Sequence, residues 1–590
     1  MRYIPMVVSL YMGLATSISL SIDQRDTVGC MVDDKTGAVF VTADCVDPDY
    51  AFPVIDRETD ETSPVPYRKV SGHFNGTTLD FAIYLTPKSQ WDGRFFQLMY
   101  PSQTSTADDN TILFGVESGG YTVQASGSTG YRADAAAAKF SRQVASKYYN
   151  VSSEQIYGYV YGGSGGSLKA IGTAEKTSGV WNGCVALIQA TPMSIPYNWG
   201  IRAFGGFILK NHSDKLIDAI QPGGSGHPNL VLNELERAIL KETEQLGIPP
   251  RGWEDWDSIV RNRTQQLQTL KDIAIPMVQS MDPTTVYILD GASNTTLEAL
   301  VQGANITIDN RWYLAMHTFH RHQLPSQESG FYGHNYLRNE EGQPLFPQRQ
   351  TLVGPLISQS SAGGATHTGN ITMKLIVMNN LLDFDAFSWH ADWYKKQVEK
   401  AKGGLENQFR LYYSDNADHV MGYGNIKSPY TSRVVDFTGL YQQHLRDLSA
   451  WVENDVNPPK PTNYTVVNGQ IEIPSNASER LGIQPVVELL VGGTKRAQVA
   501  RGENKAFTVK AQVPNGIGKI VTVEWDPLGL GEFTKKDIEV GSQVDVQFSY
   551  SYEKPGVYFA SVRAASHRNG STDTEVGLAW NLDRVRVIVE

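Results

Sequence analysis

Between residues 71 and 190, short apolar runs rich in β-branched and aromatic residues alternate with stretches whose apolar positions recur every three or four residues. "TLDFAIYLTP" alternates, "GRFFQLMYP" reads as a buried strand closed by proline, and "YTVQAS" reads as another short strand. In "RADAAAAKFSRQVASKYYN", Ala137, Phe140, Val144 and Tyr148 share one helical face, with Asp134 near the start. "QIYGYVYG" is then a strand, "SLKAIGTAEKT" a helix and "GCVALIQA" a buried strand. Strand, helix, strand, helix, strand predicts an α/β fold: a parallel sheet with crossover helices.

After Ala190 the rhythm breaks. Residues 192–369 carry helical pieces such as "LVLNELERAILKETEQL" among loops rich in Gly, Ser, Pro and His, and read as an insertion above the sheet. The rhythm resumes at "ITMKLIVMNN", passes through "SWHADWYKKQVEKAKG" and "QFRLYYSDNADH", and closes with a helix near "FTGLYQQHLRDLSAWVE". The core therefore spans 21–191 and 370–455. A proline-bearing linker follows at 456–484. From 485 to 590 the chain turns to short alternating strands ("VVELLV", "AFTVKAQV", "IVTVEW", "VDVQFSY", "GVYFASVRA", "RVRVIVE"), the signature of a small all-β sandwich.

Composition narrows the functional class. The 590 residues are 41% hydrophobic and 19% charged, with a formal net charge of −11. An acidic chain without like-charge blocks argues against nucleic acid or an anionic membrane as partner. At the start, Arg2, the apolar run "YIPMVVSLYMGLA" and small residues near Ser17–Ser21 read as a signal peptide over 1–20. After cleavage no stretch is long and apolar enough to span a membrane. Secretion would let Cys30 and Cys45 close a small disulfide loop, leaving Cys184 as a buried free thiol. Glycosylation sequons at Asn75, Asn150, Asn211, Asn262, Asn294, Asn305, Asn370, Asn463, Asn476 and Asn569 fit the same compartment.

The candidate chemistry sits in "YGYVYGGSGGSLKAIGTAEK", where a strand meets a helix at Ser164. A sharp strand-to-helix turn holds its central residue in a strained conformation and requires tiny residues two before and two after, the places of Gly162 and Gly166. Such a turn lifts the hydroxyl above the sheet and aims the backbone N–H of Gly165 at an oxyanion. Ser225 in "QPGGSGHPN" is also flanked by glycines but lacks the strand before and the helix after.

A serine nucleophile needs a base, and the base an orienting acid. The strand "KLIVMNNLLD" ends at Asp383 and "RLYYSDNADH" at His419. Asp385 and Asp392 compete for the acid, and His390 and His444, both in expected helices, for the base. A second oxyanion donor is expected after "GRFFQLMY", from Tyr100 or Ser102, because Pro101 has no N–H. His317, His320 and His322 in "MHTFHRHQ" lack the spacing of a zinc site and read as a polar lid loop, with Trp312, Tyr313, Phe319 and Phe331 as lid core or pocket wall. No metal or cofactor is expected.

The chain order Ser164, Asp383, His419, together with "YGGSGGS", resembles the α/β-hydrolase superfamily over about residues 70–190 and 370–455. "WDGRFFQLMYP" followed by the very long insertion resembles the tannase and feruloyl esterase group. That likeness implies a secreted serine esterase whose lid shapes the substrate pocket. Where that group carries one cysteine before the serine and another after the histidine, this chain has Gly163 and Val420. "VEWDPLGLGEF" and "YSYEKPGVYFASVRA" resemble a polycystic-kidney-disease-type (PKD-like) immunoglobulin module, which implies a spacer or adhesion unit. The expectation is therefore hydrolysis of a small-molecule carboxylic ester, bulky or aromatic, through an acyl-enzyme. Acyl transfer or cyclisation in secondary metabolism on the same fold is one alternative; a non-catalytic secreted binding or adhesion protein is the other.

Overall fold

The expected strands, joined by two that the pattern did not mark, assemble into a nine-stranded sheet in a computed structural model, which describes residues 28–192, 194–260, 319–348, 362–364, 367–420, 422 and 426–590. The signal-peptide segment and Asn262, Asn294, Asn305, Trp312, Tyr313 and His317 lie outside the described residues. In chain order the strands are β1 (Pro53–Glu61), β2 (Tyr67–Phe74), β3 (Asp80–Leu85), β4 (Arg94–Leu98), β5 (Gly120–Ala125), β6 (Tyr157–Ser164), β7 (Gly183–Gln189), β8 (Lys374–Asn380) and β9 (Phe409–Ser414). Their spatial order is β9-β8-β7-β6-β4-β5-β3-β2-β1. From β5 to β9 all pairings are parallel, and β3, β2 and β1 extend the sheet antiparallel.

The parallel strands are buried on both faces, so their sequences are continuously apolar. Along β6, Val160 points to one side, where Ala138 of α2 (Arg132–Tyr149) and Ile171 of α3 (Gly165–Lys176) join the cluster. Tyr159 and Tyr161 point to the other side, toward Phe114 of α1 (Asp109–Glu117) and Leu440, Leu448 and Trp451 of α8 (Thr438–Asn454). In β8, Leu375 and Val377 serve the first cluster, Ile376 and Met378 the second.

Between β7 and β8 the described part of the insertion is helical: α4 (Ser194–Leu209), α5 (Ser213–Ile220) and α6 (Glu234–Leu246). The expected helix over "LVLNELERAILKETEQL" starts at Glu234 because Asn233 caps it: its side chain accepts from the Glu236 N–H at 3.0 Å, and the Glu236 carboxylate accepts from the Asn233 N–H at 2.9 Å. Helix α7 (Trp389–Lys402) then crosses from β8 to β9.

The last part of the chain forms two further sheets. β10 (Val486–Val491), β12 (Asn504–Gln512) and β15 (Gln543–Ser551) make one, in the order β10-β12-β15. β11 (Arg496–Val499), β13 (Lys519–Asp526), β14 (Thr534–Lys536), β16 (Gly556–His567) and β17 (Ala579–Val589) make the other, in the order β11-β17-β16-β13-β14. Leu489, Phe507 and Val509 from the first meet Val523, Trp525, Val562 and Val585 from the second in one buried cluster, with the Phe507 and Trp525 rings 4.8 Å apart.

These sheets do not hang from a loose tether. The stretch expected as a linker runs along the edge strand β9, where Thr462 Oγ1 accepts from the Tyr413 N–H at 3.0 Å. Ile483, Val576, Ala579 and Leu582 belong to the same buried cluster as Tyr161 and Leu187 of the central sheet. At the other end of the chain Cys30 and Cys45 form a disulfide, and Cys184 is a buried free thiol whose S–H donates to the Ala170 carbonyl at 3.4 Å.

Candidate active site

At the carboxyl end of β6 the chain turns directly into α3 at Ser164, which has φ 54° and ψ −118°. This is left-handed territory that a non-glycine residue rarely enters, and it holds the side chain away from both elements. The neighbouring glycines are there because nothing else fits. A Cβ on Gly162 would lie 2.6 Å from the Gly166 carbonyl oxygen and 2.7 Å from that of Met99, and a Cβ on Gly166 2.2 Å from the Met99 oxygen. Behind the turn, Ser167 Oγ donates to the Ser164 carbonyl at 2.6 Å and accepts from the Ala190 N–H at 2.9 Å, tying elbow to β7. Ser225 lies between helix α5 and a short 3₁₀ turn, with no strand before it.

Ser164, Asp383 and His419 converge above the carboxyl ends of β6, β8 and β9. His419 Nε2 lies 2.8 Å from Ser164 Oγ, and His419 Nδ1 lies 2.8 Å from Asp383 Oδ2. The other Asp383 oxygen accepts from the N–H groups of Asp385 and Ala386, both at 2.7 Å. That turn fixes a carboxylate that is only 1% exposed. Burial alone would push the His419 imidazole down, but the Asp383 charge and hydrogen bond, with Asp385 and Asp418 nearby, raise it above its ordinary value.

The competing residues are occupied elsewhere. Asp385 pairs with Arg202, whose guanidinium lies over the Phe384 ring at 4.8 Å from its centroid. Asp392 accepts from the hydroxyls of Tyr332 and Tyr464, each at 2.7 Å, and pairs with Lys396. His390 is packed against Phe331, Phe387 and Trp389, and burial pushes its imidazole down to about 3. His444 lies 4.3 Å from the Tyr412 ring and is likewise pushed down to about 3 by burial.

On the oxyanion side, Gly165 is the first residue of α3, so its N–H has no partner within the helix. The segment after β4 lies against it: a Cβ on Gly165 would sit 3.3 Å from Pro101 Cγ and 3.7 Å from the Tyr100 ring. Gln103 holds this segment by donating to the Leu98 and Ala125 carbonyls at 3.1 and 2.7 Å. The Tyr100 N–H has no hydrogen-bond partner among the described residues.

Other residues shape the site that sequence reasoning passed over. Asp418 accepts from the Val420 N–H at 3.0 Å and from the Tyr430 hydroxyl, and Asn380 Nδ2 donates to the Asp418 carbonyl at 2.6 Å. Asp418 stands in the quoted "DNADH", but nothing in the sequence connects it to Asn380 or Tyr430. His320 pairs with Glu242 at 2.8 Å and His322 lies 2.8 Å from the Pro347 carbonyl, so the two serve different partners. Among the described residues no three His, Cys, Asp or Glu side chains cluster as metal ligands.

Neither a protein-family model nor a curated protein sequence matches the chain. Solved structures do. It is similar to feruloyl esterase B from Aspergillus oryzae at 13% identity, covering 71% of this chain and 88% of that one, with a TM-score of 0.37. It is also similar to an esterase from Aspergillus oryzae at 14% identity, covering 69% and 84%, with a TM-score of 0.34. For tannin acyl hydrolase from Aspergillus niger the identity is 13%, the coverage 76% and 92%, and the TM-score 0.34.

Proposed function

We propose that this chain is a secreted serine esterase of α/β-hydrolase type that cleaves a bulky or aromatic carboxylic ester. One observation carries the reading: an unbroken hydrogen-bonded relay from Ser164 through His419 to Asp383, both links 2.8 Å, with the serine at φ 54° between a strand and a helix. Asp383 accepts a hydrogen bond from Nδ1–H, which keeps the proton on Nδ1 and presents the bare Nε2 lone pair to Ser164. His419 takes the Ser164 proton as Oγ attacks the acyl carbon. The N–H groups of Gly165 and Tyr100 hold the oxyanion of the tetrahedral intermediate. The C–O bond to the alcohol breaks as His419 returns its proton to that oxygen. Water, deprotonated by the same imidazole, then releases the acid and restores Ser164.

The insertion supports the substrate size. Gln189, from which it departs, is the register partner of Ser164, so the insertion leaves the sheet beside the nucleophile. Secretion is supported by the Cys30–Cys45 disulfide and by exposure of the described sequon asparagines Asn75, Asn150, Asn211, Asn370, Asn463, Asn476 and Asn569. Among the described residues no helix is long and apolar enough to cross a membrane. The two C-terminal sheets are read as a PKD-like immunoglobulin sandwich.

A fluorophosphonate probe and a panel of aryl, feruloyl, galloyl and alkyl esters test the reading. The wild type is expected to be labelled and to turn over at least one aryl ester, with Ser164→Ala unlabelled and kcat reduced by about 10⁴-fold or more. A folded wild type that neither reacts with the probe nor hydrolyses any ester would overturn it.

A further inference from the structure

The first half of the loop that carries His419, residues 415 and 416, is held largely by residues from the C-terminal part of the chain. Asn416 sits at φ 53°, a left-handed position that needs support. Its Nδ2 donates to Asn581 Oδ1 at 2.9 Å and to the Leu582 carbonyl at 3.0 Å. Its Oδ1 accepts from Arg251 at 2.9 Å, and its own carbonyl from the Val435 N–H at 2.8 Å. Asn581 is itself fixed, since its Nδ2 donates to the Pro485 carbonyl at 2.8 Å. One residue earlier, Gln484 pairs with the Asp415 backbone as a neighbouring strand would: Oε1 accepts from the N–H at 2.7 Å, and Nε2 donates to the carbonyl at 2.9 Å and to the Trp580 carbonyl at 2.8 Å. Arg584, on the same strand as Asn581, donates from Nη2 to both carboxylate oxygens of the buried Glu254 side chain at 2.8 and 2.5 Å, while Arg251 of that same turn reaches Asn416.

These bonds have a common geometry. Strand β9 ends at Ser414, and His419 lies five residues beyond it, outside any ladder. Such a loop fixes an imidazole only if its backbone is fixed from outside: the central sheet does this at residues 417 and 418, where the Leu382 N–H donates to the Ala417 carbonyl at 3.0 Å and Asn380 to that of Asp418 at 2.6 Å, and strand β17 with the segment leading into β10 does it at residues 415 and 416. We infer that the C-terminal sheets are a positioning part of the esterase site: Asn581 and Gln484 set the place of His419 by clamping Asp415 and Asn416. The inference rests on the esterase reading above, and it assigns those sheets a role that a spacer would not have.

The test is Asn581→Ala in the full-length chain, assayed with p-nitrophenyl acetate and the fluorophosphonate probe, beside Gln484→Met and an interface control, Arg568→Gln. Arg568 pairs with Asp447 of α8 at 2.9 Å, across the same interface but away from the His419 loop. Displacing the imidazole by a fraction of an ångström to an ångström is expected to lower kcat by roughly 10–100-fold with KM little changed. Probe labelling should slow by the same factor, and the acid limb of the rate profile should move to lower pH as His419 loosens from Asp383. Arg568→Gln should lower Tm yet keep the wild-type kcat. A wild-type kcat in Asn581→Ala, or an equal loss in Arg568→Gln, would overturn the inference. If Asn581→Ala does not fold, Gln484→Met decides by the same criteria. A wild type inert to ester and probe would instead remove the esterase reading itself.

Discussion

At Ser164 the backbone conformation is the part of the site that side-chain chemistry cannot repair. Gly166 has the tightest place, with the Met99 carbonyl 2.2 Å from where a Cβ would stand, and that atom is backbone and cannot swing aside. Gly166→Ala is therefore expected to lower stability by roughly 3 kcal/mol or more and to abolish activity, whereas Gly163→Ala, whose Cβ would meet side-chain atoms of Ile188 at 3.3 Å and Leu187 at 3.5 Å and no backbone, is expected to cost about 1 kcal/mol. Urea unfolding of the two variants separates these outcomes. His419 supplies the second residue-scale expectation. Its imidazole is raised above the ordinary 6.5 despite burial, because Asp383 faces it. In the proposed reaction His419 is the base and must be neutral, so the acid limb of kcat/KM should lie above pH 6.5 and activity should climb into the alkaline range. The linkage has the opposite sign for folding: the stabilisation from charged His419 is present below pH 6.5 and is lost as pH rises through the raised value. A pH profile with its acid limb below 6.5 would contradict this.

Elements bring those residues together, and the joint between α2 and α3 is the clearest case. Lys169 of α3 and Asp134 of α2 form an ion pair at 2.7 Å with both side chains fully buried. Neither charged group makes a further hydrogen bond. Removing one partner leaves a bare buried charge; removing both leaves an apolar contact. Lys169→Met alone should cost about 3–5 kcal/mol, and Asp134→Leu with Lys169→Met clearly less, as read from urea denaturation midpoints. The same scale shows where sequence patterns were silent. Strand β1 carries Asp56, Arg57, Glu58, Asp60 and Glu61, and an exposed charged edge strand has no apolar run to detect. Helix α1 has a usable signal, Asp108 accepting from the Thr111 N–H at 2.7 Å, but its apolar positions resemble those of a strand.

Across the whole molecule, the C-terminal sheets and the central sheet share a buried cluster through Ile483, Val576, Ala579 and Leu582. Polar links join them as well: the buried Gly577 N–H donates to Gln442 of α8 at 2.9 Å, and Arg586 reaches the exposed Asp218 of α5 at 2.6 Å. Units joined in this way unfold together. Calorimetry of the intact chain is expected to show one dominant transition covering both parts; two well-separated transitions would mean that the shared cluster couples them weakly.

Local chemistry determined a good deal without help. Hydrophobic periodicity marked the strands β3 to β9 of the central sheet and the helices α2, α3, α7 and α8, and the glycines around Ser164 marked a strand-to-helix turn, because period and steric bulk are properties of neighbouring residues. The chain order of Ser164, Asp383 and His419 was legible only through the resemblance to a known superfamily, and strand ends favoured Asp383 and His419 while leaving Asp385, Asp392, His390 and His444 as competitors. The choice among them depends on which charges and rings already have partners, such as Arg202 beside Asp385 and Phe331 beside His390, and those partners come from distant parts of the chain. The hold of Asn581 on Asn416 lies furthest from local reading, since 165 residues separate the two and only the closed fold sets one against the other.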